Sequence, residues 1–359
     1  MKATRVTEGV NFVWRAQNRR PRYHGPMDTD ANGHPYQSLT PDTLLQALEA
    51  IDFACDGRLL ALNSYENRVY QVGIEDGPPV VAKFYRPGRW QREAIQEEHD
   101  FAHELAAQEI PVVAPLRDKA GVSLHEHAGF LFAVYPRCGG RWPDLDTEEQ
   151  RRQMGRFLGR LHAVGATRRF EHRPAFDIDS LGEDSRRYLL EGDIIPGYLV
   201  EAYASLTGDL LATIRAHFEA AGPLAHIRLH GDCHPGNILW TDQGPHFVDL
   251  DDARSGPAIQ DLWMLLSGEP HERRRQLEEL LEGYQTFFDF DYRGVGLIES
   301  LRTLRIMHYA AWIARRWDDP AFPLAFPWFD SPRYWEEHIL DLREQAAALD
   351  EPGLLQVGM

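Results

Sequence analysis

Two segments constrain this chain more than anything else in it: HGDCHPGNILW at residues 230–240 and FVDLDDA at residues 247–253. In the first, Asp232 and Asn237 stand five positions apart, close enough for one loop to carry both side chains. In the second, Asp249 follows the apolar pair Phe247-Val248, which reads as a buried strand ending in a carboxylate. One carboxylate that can orient a hydroxyl and take its proton, one neutral amide oxygen for a metal, and a second carboxylate that can bridge metal to phosphate form a chemical minimum for phosphoryl transfer. Such work depends on positioning and charge neutralisation. The fold must therefore bring loop and strand end together at a cleft.

The rest of the chain is patterned to do so. Residues 1–37 hold Pro21, Gly25, Pro26, Gly33 and Pro35 with few periodic apolar positions, and read as a flexible lead-in. Thr40-Pro41 starts a helix carrying Leu44, Leu45, Leu48 and Ile51. Strands are expected at Leu59–Leu62, Arg68–Ile74 and Pro79–Tyr85, then a helix over 90–107, then strands at Val122–His125 and Phe130–Val134. Cys138-Gly139-Gly140 reads as a hinge. Beyond it, helical spacing dominates, with Met154, Phe157, Leu158 and Leu161 in one stripe and Leu277, Leu280, Leu281, Tyr284 and Phe288 in another. The expectation is an α+β, two-lobed chain: a small sheet-rich lobe over 38–136, a larger, mostly helical lobe over 137–352 and a tail at 353–359. A cleft falls at the junction.

Composition excludes several partners. With 55 acidic against 38 basic residues, the formal charge is −17, which counts against nucleic acid and anionic membrane. No run of about 18 apolar residues marks a membrane span, and the N-terminus lacks an apolar signal core. Three scattered cysteines, Cys55, Cys138 and Cys233, argue against a disulfide framework and point to the cytoplasm. A monomer is the default expectation.

The loop HGDCHPGNILW has the Asp-to-Asn spacing of the kinase catalytic loop, and it resembles the aminoglycoside-phosphotransferase and choline-kinase-like branch of the kinase superfamily. LNSYENRVYQV (62–72), VAKFYRP (81–87), DLWMLLSG (261–268) and WIARRWDDPAFPLAFPWF (312–329) bring it nearer to bacterial cytoplasmic Ser/Thr protein kinases of that branch. The likeness runs from about residue 38 to about residue 352. It implies a kinase-like fold, ATP as phosphoryl donor, Mg²⁺ as metal and protein Ser/Thr hydroxyls as acceptors, autophosphorylation included, in a bacterial stress response. Carried over by position, Asp232 becomes the catalytic base, with Asn237 and Asp249 as metal ligands. Lys83 takes the place of the strand lysine that pairs with the α- and β-phosphates. Alternation puts Val81 on the face of Lys83, so Val81 would roof the adenine. Glu98, on the face of Phe101, Ala102 and Leu105, is preferred to Glu97 as the partner of Lys83. Ser64 and Asn67, on a glycine-free hairpin turn, would offer donors to phosphate. Tyr135 completes the expected nucleotide-binding set.

Departures from the kinase pattern matter as much. Gly231 stands where protein kinases have the arginine that docks a phosphorylated loop, and eleven residues between Asp249 and Asp261 leave no room for a long activation segment. His234 stands where many Ser/Thr kinases have a lysine, two places after the catalytic Asp. Asp261 reads either as a support for the catalytic loop or as a simple helix N-terminal acid. Asp251 and Asp252 read either as further metal ligands or as solvated turn acids. His125 and His127 read as a strand-end pair, and the aromatics of 312–329 as core or as a substrate platform. The rivals are a small-molecule hydroxyl kinase, a binding-only pseudokinase and, at greater distance, a metal-dependent phosphohydrolase built on the DLDD run.

Overall fold

In the computed structural model, which describes residues 35–62, 64–242 and 244–355, Thr40 caps the first helix. Its hydroxyl accepts the Thr43 N–H at 3.1 Å, and Pro41 opens helix α1 (Pro41–Glu49), which buries Leu44, Ala47 and Leu48. Strands β1 (Cys55–Ala61), β2 (Arg68–Ile74) and β3 (Val80–Phe84) follow, then helix α2 (Arg92–Ala107), β4 (His125–His127) and β5 (Phe130–Pro136). They form one antiparallel sheet of order β1-β2-β3-β5-β4. Period-2 alternation divides β3 between two layers. Val80, Ala82 and Phe84 pack toward α1 with Val72, Phe132 and Val134. Tyr85, just past β3, packs on the opposite face with Ile95 of α2 and Ala133. The strand that carries Lys83 is thus buried from both sides.

Most of the expected lead-in lies outside the described residues. Its last residues do not lead in but pack: Tyr36 is buried against Phe130, with rings 6.1 Å apart, and its hydroxyl donates to the Glu66 and Phe84 carbonyls. The strand expected at Val122–His125 is also displaced. Asp118 closes a turn by accepting the Ala120 and Val122 N–H groups at 2.9 and 2.8 Å, so Val122 is exposed and pairing begins only at His125. His125 and His127 are the ends of that short strand, as ordinary as expected.

The large lobe is mainly helical: α3 (Glu148–Gly165), α4 (Asp184–Glu191), α5 (Val200–Ala221), α6 (Ile259–Trp263), α7 (Pro270–Tyr284), α8 (Ile298–Ala314), α9 (Ala321–Ala325) and α10 (Pro332–Leu349). Thr147 and Gln150 form a reciprocal capping box at the start of α3. Helices α3 and α7 touch backbone to backbone, because a side chain at Gly155 would overlap the Leu280 carbonyl. The apolar stripe expected to reach Phe288 leaves its helix at Tyr284, and Phe288 packs on the core from the following turn.

Four short strands interrupt the helices and place the chemistry. Strand β6 (Ile227–Leu229) pairs antiparallel with β9 (Arg254–Gly256), and β7 (Ile238–Thr241) with β8 (Gly244–Phe247). The loop 230–237 leaves β6 and enters β7; the loop 248–253 leaves β8 and enters β9. Pairing therefore holds both loops side by side. Ile227, Leu229, Ile238 and Phe247 are buried, each worth ~1.5–3 kcal/mol of apolar burial, so this scaffold is stiff. The lobes join nearby: Phe247 N–H donates to Pro111 O, Val113 N–H donates to Phe247 O, and Arg141, just past the hinge, exchanges two backbone hydrogen bonds with Trp240. Among the described residues, no helix is long and apolar enough to cross a membrane.

Candidate active site

The loop 230–237 is held from beneath by Asp261, which is fully buried at the start of α6. Its two oxygens accept the His230 N–H at 2.8 Å, the Gly231 N–H at 2.9 Å and His162 Nε2 at 3.1 Å. This decides between the two readings of Asp261: it supports the loop. Gly231 is required here on two counts. Its φ is +84°, and a Cβ would overlap the Asp252 carbonyl, so no arginine fits where protein kinases carry one. His230 Nε2 donates to the Val248 carbonyl at 2.9 Å and ties one loop to the other.

Asp232 and Asn237 face each other within the loop. Asn237 Nδ2 donates to the Asp232 carbonyl at 3.0 Å and to Oδ2 at 3.3 Å, which leaves the amide oxygen pointing away as an acceptor. His234 Nδ1 accepts the Gly236 N–H, so Nε2 carries the ring proton toward Asp232 Oδ2, 3.5 Å away. On the other side of Asp232, Arg305 Nη1 approaches Oδ1 to 2.6 Å. Burial opposes charge on Asp232, but Arg305 and His234 outweigh it and hold its carboxyl well below the usual range. Oδ1 is buried and has no aligned hydrogen-bond donor; Arg305 neutralises it without capping it.

Asp249 sits beyond the end of β8 in a left-handed conformation, φ +60°, which turns its carboxylate toward the small lobe. Lys83 Nζ meets it at 3.0 Å and Asp251 at 3.2 Å, with Glu98 of α2 at 3.7 Å. Burial works against the Lys83 charge, but Asp249, Asp251 and Glu98 outweigh it and hold its pKa well above the ordinary lysine value. Glu98, between Lys83 and Arg173 (3.6 Å), is pushed up to about 7, mainly by burial. Glu97 has a different partner set: it accepts the backbone N–H groups of Glu171, His172 and Arg173. Arg173, itself buried, donates to the carbonyls of Ala94, Asp251 and Ala253, fastening α2 to the 248–253 loop.

The second acidic pair bears on an open alternative and on a rival. Asp251 is not a solvated turn acid: its side chain is 5% exposed and lies among Lys83, Arg89 and Asn67. Burial opposes its charge, yet Arg89, Lys83 and Arg173 keep it far below the usual carboxylate range. Asp252 is paired with Arg89 at 2.8 Å and Arg254 at 3.0 Å. Both acids are committed to cations, which removes the free aspartate pair that a phosphohydrolase reading of DLDD requires. Asn67 is likewise committed. Its Nδ2 donates to Asp251 Oδ2 at 3.1 Å and its Oδ1 accepts the Arg86 N–H, so its donors bind the large lobe and do not face outward to phosphate.

The hairpin before β2 is clamped from the far end of the chain. Glu66 accepts Trp312 Nε1 at 2.6 Å and Arg316 Nε at 2.7 Å, while Asp319 pairs with Arg86 at 2.8 Å and Arg68 at 3.2 Å. Ser64 is half-buried on that hairpin. Phe322, Phe326 and Phe329, from the segment weighed as a platform, are core residues. On the α2 side of the sheet, Val81 and Tyr135 are cross-strand partners next to Lys83 and Ala133. The Tyr135 hydroxyl lies 3.0 Å from that of Tyr85, and burial raises its pKa.

The donor set suits a hard divalent cation. Asn237 presents an amide oxygen, and Asp249, with a side chain 54% exposed, is the most open carboxylate of the Lys83 cluster. Among the described residues, no group of three His, Cys, Asp or Glu side chains could hold a metal unaided. An ion held by these two groups would need further oxygen ligands from outside the protein, as Mg²⁺ commonly does. Sequence reasoning missed Arg89, Arg173 and Arg305. The available signal was a cation breaking an apolar helical pattern, as Arg305 does in LRTLRIMHYAAW (301–312).

The chain matches the phosphotransferase enzyme family over residues 58–298. It is 47% identical to the stress response kinase A of Escherichia coli K12, over 89% of this chain and 96% of that one. It is 46% identical to the serine/threonine protein kinase RdoA of Salmonella typhimurium LT2, over 90% and 97%. Among solved structures it resembles an amicoumacin kinase in complex with AMP-PNP, Ca²⁺ and Ami, with a TM-score of 0.66 and 17% identity over 88% of this chain and 96% of that one.

Proposed function

This chain belongs to the phosphotransferase enzyme family, and from that premise we propose that it is an ATP- and Mg²⁺-dependent Ser/Thr protein kinase. It acts in the bacterial cytoplasm during stress, as a monomer, on protein hydroxyls that include its own. The observation that carries the reading is the 3.0 Å contact between Lys83 of the small lobe and Asp249 of the large lobe, beside the Asp232–Asn237 loop. A strand lysine beside a carboxylate at the mouth of the large-lobe loop supports a phosphate chain lying between the lobes. A relative named as a serine/threonine protein kinase, similar over about nine-tenths of the chain, supports the choice of acceptor.

In this reading residues 38–136 bind nucleotide and 137–352 carry the catalytic groups. Val81 and Tyr135 line the base, Lys83 takes the α- and β-phosphates, and Glu98 with Arg173 keeps Lys83 extended. Ser64 faces the phosphates from the hairpin, while Asn67 and Glu66 hold that hairpin to the large lobe. Asn237 and Asp249 hold Mg²⁺, which neutralises charge on the phosphates when bound. The acceptor hydroxyl approaches the Asp232 carboxylate. A bond forms from acceptor oxygen to the γ-phosphorus, the bond from that phosphorus to its bridging oxygen breaks, and ADP leaves with the electron pair. The hydroxyl proton passes to Asp232. A carboxylate held this far below its usual pKa is a weak base, so its main work is orientation, with the proton moving late, as a loose transition state allows.

Transfer of label from ATP to a protein panel, run beside a panel of choline-like, homoserine-like and aminoglycoside hydroxyl compounds, tests the assignment. Label on Ser and Thr is expected. Label confined to small molecules would replace the acceptor with a small alcohol. Asp232→Asn should bind nucleotide normally and lose at least ~10²-fold in turnover.

A further inference from the structure

Protein kinases of the Ser/Thr type commonly place a lysine two residues after the loop aspartate, and here that position is His234. Its Nδ1 accepts the Gly236 N–H, which leaves the ring one N–H, directed at Asp232 Oδ2. It has no donor left for phosphate. A cleft that gathers negative charge on a phosphoryl group during transfer needs a cation at that point.

We propose that Arg305 is that cation, contacting the transferred phosphoryl group from α8. The inference rests on reading the cleft as a γ-phosphoryl transfer site. Three observations carry it. Arg305 lies 2.6 Å from Asp232 Oδ1, on the carboxylate that would orient the acceptor, and Asp232 is its one ion-pair partner among the described residues. The contact is not an aligned hydrogen bond, so the guanidinium, on a side chain 27% exposed, keeps N–H groups for a second anion. Its position is rigid, since Leu301, Leu304, Ile306 and Met307 around it are buried.

The third observation is the face of α8 on which it stands. Arg305, Tyr309 and Trp312 follow at i, i+4 and i+7 on one stripe of α8, and Arg316 stands in the turn just past its end. Tyr309 stacks on Trp312 with centroids 5.7 Å apart, and Trp312 and Arg316 both bind Glu66 of the hairpin. The stripe thus runs from the hairpin that covers the phosphates to the aspartate that orients the acceptor. Arg305 is the cation on it nearest the reacting oxygen. A planar, permanently charged fork suits an equatorial phosphoryl oxygen and Asp232 at once.

The test measures binding, so it does not depend on knowing the acceptor. MgADP is titrated into the wild-type chain, Arg305→Ala and Arg305→Lys, with and without aluminium fluoride, which mimics the planar phosphoryl group. MgADP affinity is expected to stay within about 2-fold in all three, because Arg305 faces the transferred group alone. Fluoride should tighten the wild type, and Arg305→Ala should forfeit on the order of 10²-fold of that tightening, the scale of one preorganised donor. Added guanidinium should restore part of it in Arg305→Ala, and Arg305→Lys should fall between. Equal tightening in wild type and Arg305→Ala, absence of tightening in the wild type, or a matching fall in MgADP affinity without rescue would overturn the proposal. A wild type that passes but labels no protein hydroxyl overturns only the acceptor assignment.

Discussion

Asp261→Asn removes one charge from the buried carboxylate beneath the catalytic loop and leaves the side chain's shape almost unchanged. The oxygen that now accepts from His230 N–H and His162 Nε2 survives if the amide places its oxygen there; its NH₂ then faces the Gly231 N–H. One hydrogen bond becomes a donor–donor contact in a site with no solvent access. An unsatisfied buried donor costs ~1–3 kcal/mol, and the two surviving bonds each fall from charged to neutral strength, a loss of roughly 1 kcal/mol apiece. The total is about 3–5 kcal/mol, which should lower the thermal midpoint of a chain this long by roughly 4–7 °C. Differential scanning calorimetry reads that shift, and a turnover assay reads the loop: Asp232 should lose its position while nucleotide binding at Lys83 and Asp249 persists. A double-mutant cycle with His162→Phe should show coupling, because the two side chains share a bond. A midpoint within about 2 °C of wild type, together with normal turnover, would refute the claim that this carboxylate holds the loop.

Asp249→Asn should weaken nucleotide affinity in the presence of Mg²⁺ and little in its absence, as a titration at varied magnesium would report; an unchanged magnesium dependence would move the metal role away from Asp249. His99 is fully buried between Tyr85 and Ser123, and burial, aided by Lys83, lowers its pKa to about 3. Since the unfolded imidazole titrates near 6.5, the stability linked to His99 is complete above that pH and is lost as pH falls toward the folded value, at about 1.4 kcal/mol per pH unit. Between pH 7 and pH 5 the wild type should therefore lose about 2 kcal/mol more than His99→Gln in urea unfolding, and equal losses would exclude a neutral His99. Gly231→Ala should cut turnover at least ~10-fold through a strained loop, with a lower thermal midpoint; a variant as active as wild type would show that the positive φ and the Asp252 contact are dispensable.

What could be read from the linear chain was what lies close along it. Asp232 and Asn237 share one loop, Asp249 terminates a short apolar run, and Val81 and Lys83 alternate on one strand, so their mutual placement follows from backbone geometry within a few residues. The two lobes were legible for the same reason, since periods of two and of about 3.6 residues are local properties. Elements whose ends depend on turns, such as the strand that begins at His125 and not at Val122, were read less well. The partners of the charged groups were a different matter. Asn67 meets Asp251 across 184 positions, Lys83 meets Asp249 across 166, and Arg305 reaches Asp232 from another helix altogether. Burial makes each of these cations and carboxylates require a partner, but only the packing of the lobes selects which one. Hence the chain itself determined the loop's residue set and the kind of fold, and tertiary structure decided that Asn67 fastens the lobes, that Asp251 is held between Lys83 and Arg89, and that an arginine on α8 stands over Asp232.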